Sequence, residues 1–145
     1  MKCTSRFLTL LLFSLLAVFS ACQKEDEVKE CKEHEVSECR ENADKVNIRV
    51  VNNTGHDICN LVVNPYNEKK NHGNLKKDEK TCYRAYSTAY SYGYIQFSIG
   101  DKEFVLQPID YVGQDALEKG FYSWHVEIED YEAGKVSLVS KKEEN

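Results

Sequence analysis

The sequence predicts an all-β domain over residues 45–141, an antiparallel β-sandwich of about seven strands and of immunoglobulin-like or transthyretin-like type. Three observations carry this. Past Lys45 the chain breaks into short runs of apolar, β-branched and aromatic residues, most of them alternating with polar ones. Gly, Asn, Asp and Pro separate the runs at short intervals, and no stretch of this region keeps a long helical period. An open barrel is the nearest alternative.

Taken in order, Val46-Asn47-Ile48-Arg49-Val50 alternates as a strand with one buried face should. Asn52-Asn53-Thr54-Gly55 is a turn cluster leading to a second apolar run, Ile58 to Val63. Asn64 to Lys80 is polar and reads as an exposed loop, and Thr81 to Tyr86 as a third strand. Tyr92 to Ile99 and Lys102 to Gln107 form a hairpin, because Gly100-Asp101 tolerates the positive φ of a two-residue turn. In that register Ile95, Phe97 and Ile99 face the core with Phe104 and Leu106, while Tyr92, Tyr94, Gln96 and Ser98 face away. Asp115 to Lys119 offers one helical turn ending at Gly120. Phe121 to Ile128 alternates again with Tyr122, Trp124, Val126 and Ile128 on one side, and Val136 and Leu138 return beyond Glu132-Ala133-Gly134 as a second hairpin. Residues 142–145 read as a charged tail.

The N-terminal residues carry a different message. Lys2 and Arg6 precede an apolar run, Phe7 to Phe19, which is too short to span a bilayer and ends in Ser20-Ala21-Cys22. This resembles a bacterial lipoprotein signal peptide over residues 1–21, which implies acylation of Cys22 and cleavage before it; Phe19 stands where the family motif usually has Leu. The next residues, Gln23, Lys24, Glu25, Asp26 and Glu27, are similar to the Lys-plus-acidic surface-export signal of Bacteroidetes-type lipoproteins. The resemblance implies an outer-membrane, lipid-anchored protein facing the cell exterior. Within the domain, the run Phe104-Val105-Leu106-Gln107-Pro108-Ile109-Asp110-Tyr111-Val112-Gly113 is similar to small β-sandwich lipoproteins of the same group, a likeness that implies no particular activity.

Between the two lies a segment, residues 22–44, dominated by Glu, Lys and Asp, with Val28, Val36 and Ala43 its ordinary apolar residues. It lacks the apolar surface to offset the entropy of ordering and reads as an acidic, flexible tether. Residues 1–21 hold two cationic side chains and no acidic ones, so the rest of the chain has 17 basic against 24 acidic residues, a formal charge of −7. That balance argues against nucleic acid and against adsorption on anionic lipid. Membrane attachment is therefore expected through the N-terminal acyl chains.

With Cys3 in the signal and Cys22 acylated, Cys31, Cys39, Cys59 and Cys82 remain, in an exported setting that permits disulfides. Three pairings exist. The simplest joins partners within each region, Cys31 to Cys39 in the tether and Cys59 to Cys82 in the domain. A helix over Val28 to Arg40 would exclude the first bridge, since eight residues of helix span about 12 Å. Cys31, His34 and Cys39 lack the paired spacing of a structural zinc site, so no metal and no cofactor is expected.

No nucleophile elbow, phosphate loop or metalloprotease helix appears, and no catalytic residue can be named. The unusual feature is tyrosine: Tyr83, Tyr86, Tyr90, Tyr92 and Tyr94 fall within twelve residues. Tyrosine suits half-exposed strand positions in general, but flat rings with hydroxyls also suit protein surfaces and sugar rings. Tyr86, Tyr90, Tyr92 and Tyr94 are the binding candidates. The expected function is a non-catalytic binding module for protein or glycan; the alternative is a structural or accessory subunit of a cell-envelope complex.

Overall fold

The computed structural model describes residues 31, 32 and 34–144. Cys22, the five residues after it and the signal segment lie outside the described residues. Among the described residues eight strands form two four-stranded sheets: β1 (Val46–Asn52), β2 (Ile58–Asn64), β3 (Lys70–Leu75), β4 (Arg84–Tyr86), β5 (Tyr94–Ile99), β6 (Lys102–Leu106), β7 (Gly120–Asp130) and β8 (Lys135–Lys142). One sheet runs β4-β1-β7-β8 and the other β3-β2-β5-β6. Every pair is antiparallel except β1 with β7, which run parallel from Val46↔Gly120 to Asn52↔Val126. Lettered along the chain, the sheets read D-A-G-H and C-B-E-F. That differs from the ABED and CFG division of the immunoglobulin sandwich and leaves the transthyretin-like alternative.

The core follows from period-two alternation. Ile48, Val50, Trp124 and Val126 from one sheet meet Ile58, Leu61, Val63, Ile95, Phe97 and Phe104 from the other, all essentially out of water. Phe97 and Phe104 stack across the β5–β6 hairpin with centroids 5.4 Å apart. Its turn is the expected Gly100-Asp101, with Gly100 at φ +57°. Gly93 is required for a different reason. A Cβ there would lie 2.8 Å from the Trp124 ring and 2.7 Å from the Pro65 Cα, so the loop before β5 lies directly on the core tryptophan.

Several expectations are corrected. The polar stretch 64–80 is not all loop, since Lys70–Leu75 forms β3. Its Lys-Asn-His-Gly-Asn-Leu sequence hides a strand because one buried position is His72 and another is Gly73, whose φ of +83° accompanies shifts of register against β2. Asp115 to Lys119 is not helical, and no helix occurs among the described residues. Residue 142 ends β8, and Glu143, read as tail, bonds both Arg49 and the Tyr83 hydroxyl.

The cysteine pairing is also corrected. The bridges are Cys31–Cys59 and Cys39–Cys82, with Cα separations of 5.3 and 5.7 Å. The described residues between Cys31 and Cys39 form neither helix nor strand, and each cysteine bonds a partner in the domain rather than the other. Each is carried to a different sheet. Along its described part the charged segment is therefore a strap rather than a free tether. Ser37 N–H donates to Asn71 O at 2.9 Å and Asn71 N–H to Ser37 Oγ at 3.0 Å, along the β3 edge. Ala85 N–H donates to Arg40 O at 3.0 Å, along β4. Buried Arg84 donates to Ser37 O at 2.9 Å, and Val36 packs where Gly73 has no side chain. Backbone hydrogen bonds to two sheet edges and two covalent links replace the apolar burial that the segment's composition denies it.

Candidate functional site

The strands alternate in direction, which sorts their connections to two ends. Residues 53–57, 76–83, 100–101 and 131–134 lie at one end, here the hairpin end; 65–69, 87–93 and 107–119 lie at the other. Hydrogen bonds tie each group together: Asn52 Nδ2 to Lys76 O at 3.0 Å at the hairpin end, and Tyr90 N–H to Pro65 O at 3.4 Å and Leu117 N–H to Ala89 O at 2.8 Å at the far end. Cys31, bound to Cys59 at the start of β2, is at the hairpin end.

The far end gathers tyrosines. Tyr111 is stacked between Tyr90, at 4.5 Å and 23°, and Tyr92, at 5.3 Å and 20°. Tyr66 meets Tyr90 and Tyr111 edge-on at 5.3 and 5.5 Å. Offset and edge contacts at these distances are the preferred ways for aromatic quadrupoles to meet. The Tyr92 hydroxyl donates to Asp110 O at 2.8 Å, and the Asp110 carboxylate accepts from Val112 N–H at 3.1 Å, so residues 109–114 form a tight, pinned turn. Burial first, and the neighbouring tyrosine hydroxyls second, push the Tyr111 phenol above its ordinary range, so it stays protonated. On either side of it Ile109 is 100% exposed and Val112 86%, while Tyr66 is 40% exposed. Two solvated aliphatic side chains thus stand beside a cluster of four packed tyrosines.

The four tyrosines read from sequence therefore separate. Tyr90 and Tyr92 join the cluster. Tyr94 lies on the outer face of β5 as its register requires, its hydroxyl donating to Gln96 Oε1 at 2.6 Å. Tyr86 is withdrawn from the surface: it is 0% exposed, and its hydroxyl lies 2.9 Å from His72 Nε2. Tyr66 and Tyr111 were not among the candidates, because they sit 24 and 17 residues from Tyr90 and Tyr94 respectively and only the fold closes those gaps. The signal that could have found them is a tyrosine or exposed aliphatic in each of three loops that a sandwich must bring to one end.

His72 has a definite protonation state. Thr81 Oγ1 accepts from Val50 N–H at 3.0 Å and donates its own hydrogen to Cys82 O at 3.0 Å, so at 3.2 Å it accepts a hydrogen bond from His72 Nδ1–H. Nε2 is then bare and accepts from the Tyr86 hydroxyl. Burial, and then the nearby Arg84 and Lys70 cations, hold this imidazole well below the usual histidine range. It is a buried polar link within the core.

One pair resembles catalytic machinery. Ser123 Oγ lies 3.1 Å from His125 Nε2 on β7. The Asn53 amide nitrogen, however, lies 3.3 Å from His125 Nδ1 and 3.5 Å from a Glu127 carboxylate oxygen, so it is a donor and Nδ1 an acceptor. The ring proton is on Nε2, pointing at the serine oxygen. A general base needs a bare nitrogen at that place. Among the described residues no group of three or more His, Cys, Asp and Glu is placed to hold a metal ion, and the sulfurs of Cys31 and Cys39 are committed to separate bridges. No protein-family model matches the chain, and no curated protein matches it.

Proposed function

We propose that this chain is a lipoprotein, acylated at Cys22 and carried to the outside of the outer membrane, whose domain is a non-catalytic binding module for protein or glycan. The observation that carries this reading is the convergence of Tyr66, Tyr90, Tyr92 and Tyr111 beside the exposed Ile109 and Val112. Its support is geometric. The strap enters the domain at the hairpin end, so a chain anchored at Cys22 holds its tyrosines on the side away from the anchor. Nine residue steps separate Cys22 from Cys31, which at full extension reach about 30 Å, a much shorter lead than a free segment up to Asp44 would allow. The proton placement at Ser123 and His125 supports the non-catalytic part.

The test uses cells that make the protein. Proteinase K added to intact cells should remove the domain, and a panel of glycans and extracellular proteins should yield a ligand whose binding falls at least about tenfold in an Ile109→Ser, Val112→Ser double variant that keeps its fold. A domain protected inside an intact outer membrane would exclude the surface address. Binding unchanged in the double variant would exclude the tyrosine end. Co-purification with one fixed envelope protein through another face would favour the structural alternative.

A further inference from the structure

At the same end as the tyrosines, where the strap turns into β1, lies a cavity of about 310 Å³ lined by Arg40, Asn42, Lys45, Lys70 and Ala85. Three of these five residues are cationic in a chain of formal charge −5. The arrangement is built by the strap: Ala85 N–H fixes the Arg40 backbone, and Asn47 donates from Nδ2 to Asn42 O at 2.9 Å and accepts from Asn42 N–H at 2.8 Å, holding the turn. Lys45 Nζ donates to the Ser87 hydroxyl at 3.3 Å, a neutral partner, and its charge also acts on the nearby Glu68 carboxylate. Lys70 is shared between the Ala85 carbonyl and the Glu68 carboxylate, the latter at 2.9 Å. Asp44, in the same turn, is paired with Lys119 at 3.5 Å. Among the described residues the Arg40 guanidinium has no ion-pair or hydrogen-bond partner, and the Asn42 amide nitrogen is unengaged. With Glu68 set against Arg40, Lys45 and Lys70, the cradle keeps a net formal charge of +2 and a fork of donors suited to an oxyanion.

We propose that this cradle binds the carboxylate or sulfate of an acidic sugar. The inference rests on the binding-module reading and deepens it by naming the ligand's chemistry. Loop 65–69 leads into Lys70 and carries Tyr66; loop 87–93 carries Ser87 together with Tyr90 and Tyr92. The cradle itself comes from the strap, β3 and β4, but these two loops run from it to the tyrosines, so a ring-binding aromatic surface and an oxyanion cradle lie at one end of the sandwich, a combination that a neutral sugar or an apolar protein patch would not use. The cavity is at the small end of ligand pockets, a size for one charged saccharide unit rather than a long segment of chain. Glu68 is the built-in competitor: though burial opposes it, bonds from Lys70 and Ser87 N–H keep its carboxyl ionised, and it occupies part of the field that a ligand would take.

The experiment follows backbone amide shifts of the disulfide-intact chain during titration with sodium sulfate, glucuronate, the matching neutral sugar and a short glutamate peptide. Sulfate and glucuronate should shift residues 40–45, 70 and 85–87 saturably, and the neutral sugar should bind at least about fivefold more weakly. An Arg40→Gln, Lys45→Gln variant should lose about fivefold or more, whereas Glu68→Gln should bind sulfate about two- to fivefold more tightly. Tyr111→Ala should leave sulfate affinity unchanged, which separates this site from the tyrosine reading. Absence of saturable shifts at these residues, or equal sulfate binding by the double variant, overturns the cradle. A glutamate peptide that outbinds glucuronate overturns the sugar assignment.

Discussion

The two ends of the sandwich are built on opposite plans. At the hairpin end the connections are mostly short and bonded inward: Asn52 alone reaches the carbonyls of His56, Leu75 and Lys76, Gly100-Asp101 turns β5 into β6, and the strap is bolted on at Cys59. At the tyrosine end, loop 107–119 has no regular structure, yet it is held by ring stacking and a few hydrogen bonds, with Ile109 and Val112 in water. Loops of the second kind are where binding surfaces arise on a rigid scaffold. The difference teaches that one end is ordered by backbone hydrogen bonds and a disulfide, and the other by packed aromatic side chains.

The largest effect that would break the comparison is covalent. Replacing Cys31 and Cys59 by serine should cost about 2–4 kcal/mol in urea unfolding, because a bridge closing a loop of 28 residues restricts the unfolded chain. Hydrogen exchange should then quicken along the strap and leave loop 107–119 unchanged. Faster exchange at the tyrosine end would show that the ends are not independent. Next comes Gly93→Ala, which drives a methyl into Trp124 and the Pro65 backbone; a loss of about 1–3 kcal/mol is expected, with the tyrosine stack perturbed. Equal stability and unchanged aromatic circular dichroism would mean that the loop does not bear on the core.

A smaller effect is set by pH. His72 is neutral in the folded chain, with its pKa well below the unfolded value of about 6.5, so above that pH neither state takes up a proton and stability is full. As pH falls below about 6.5 the unfolded chain is protonated first and stability is lost, by at most about 1.4 kcal/mol per pH unit for this one group. His125, also held down by burial first and then by Lys141, acts in the same direction. His72→Gln should flatten the slope of stability between pH 6.5 and 5 more than His125→Gln does; identical slopes in the two variants would remove His72 as the sensor. At the bottom of the scale, the Ile109→Ser, Val112→Ser variant used to test binding should change stability by no more than about 0.5 kcal/mol, since both side chains are already solvated.

Much of the fold was legible because a half-buried strand writes its period into the chain. Val46 to Val50, Ile95 to Phe104 and Tyr122 to Val126 all show it, and their buried faces are the expected ones. The pattern failed where burial is polar or backbone-driven. β3 buries His72 and a glycine, so it carries no apolar mark; the strap is ordered by the edges of β3 and β4, which no local sequence records. Of the candidate site, Tyr90 and Tyr92 could be picked from their density in the chain, but that same density drew in Tyr86, whose place opposite Val46 turns it into the core.

By itself the sequence determined the class of the domain, the faces of its apolar strands, its two hairpins and its acidic charge, all of which depend on residues near one another along the chain. The tertiary structure decided the parallel pairing of β1 with β7, the crossing of the two disulfides between strap and sheets, the meeting of Tyr66 and Tyr111 with Tyr90 and Tyr92, and the cradle of Arg40, Lys45 and Lys70. Each joins positions far apart in the chain, and such contacts are set by the packing of two whole sheets, for which the local period of a strand holds no information.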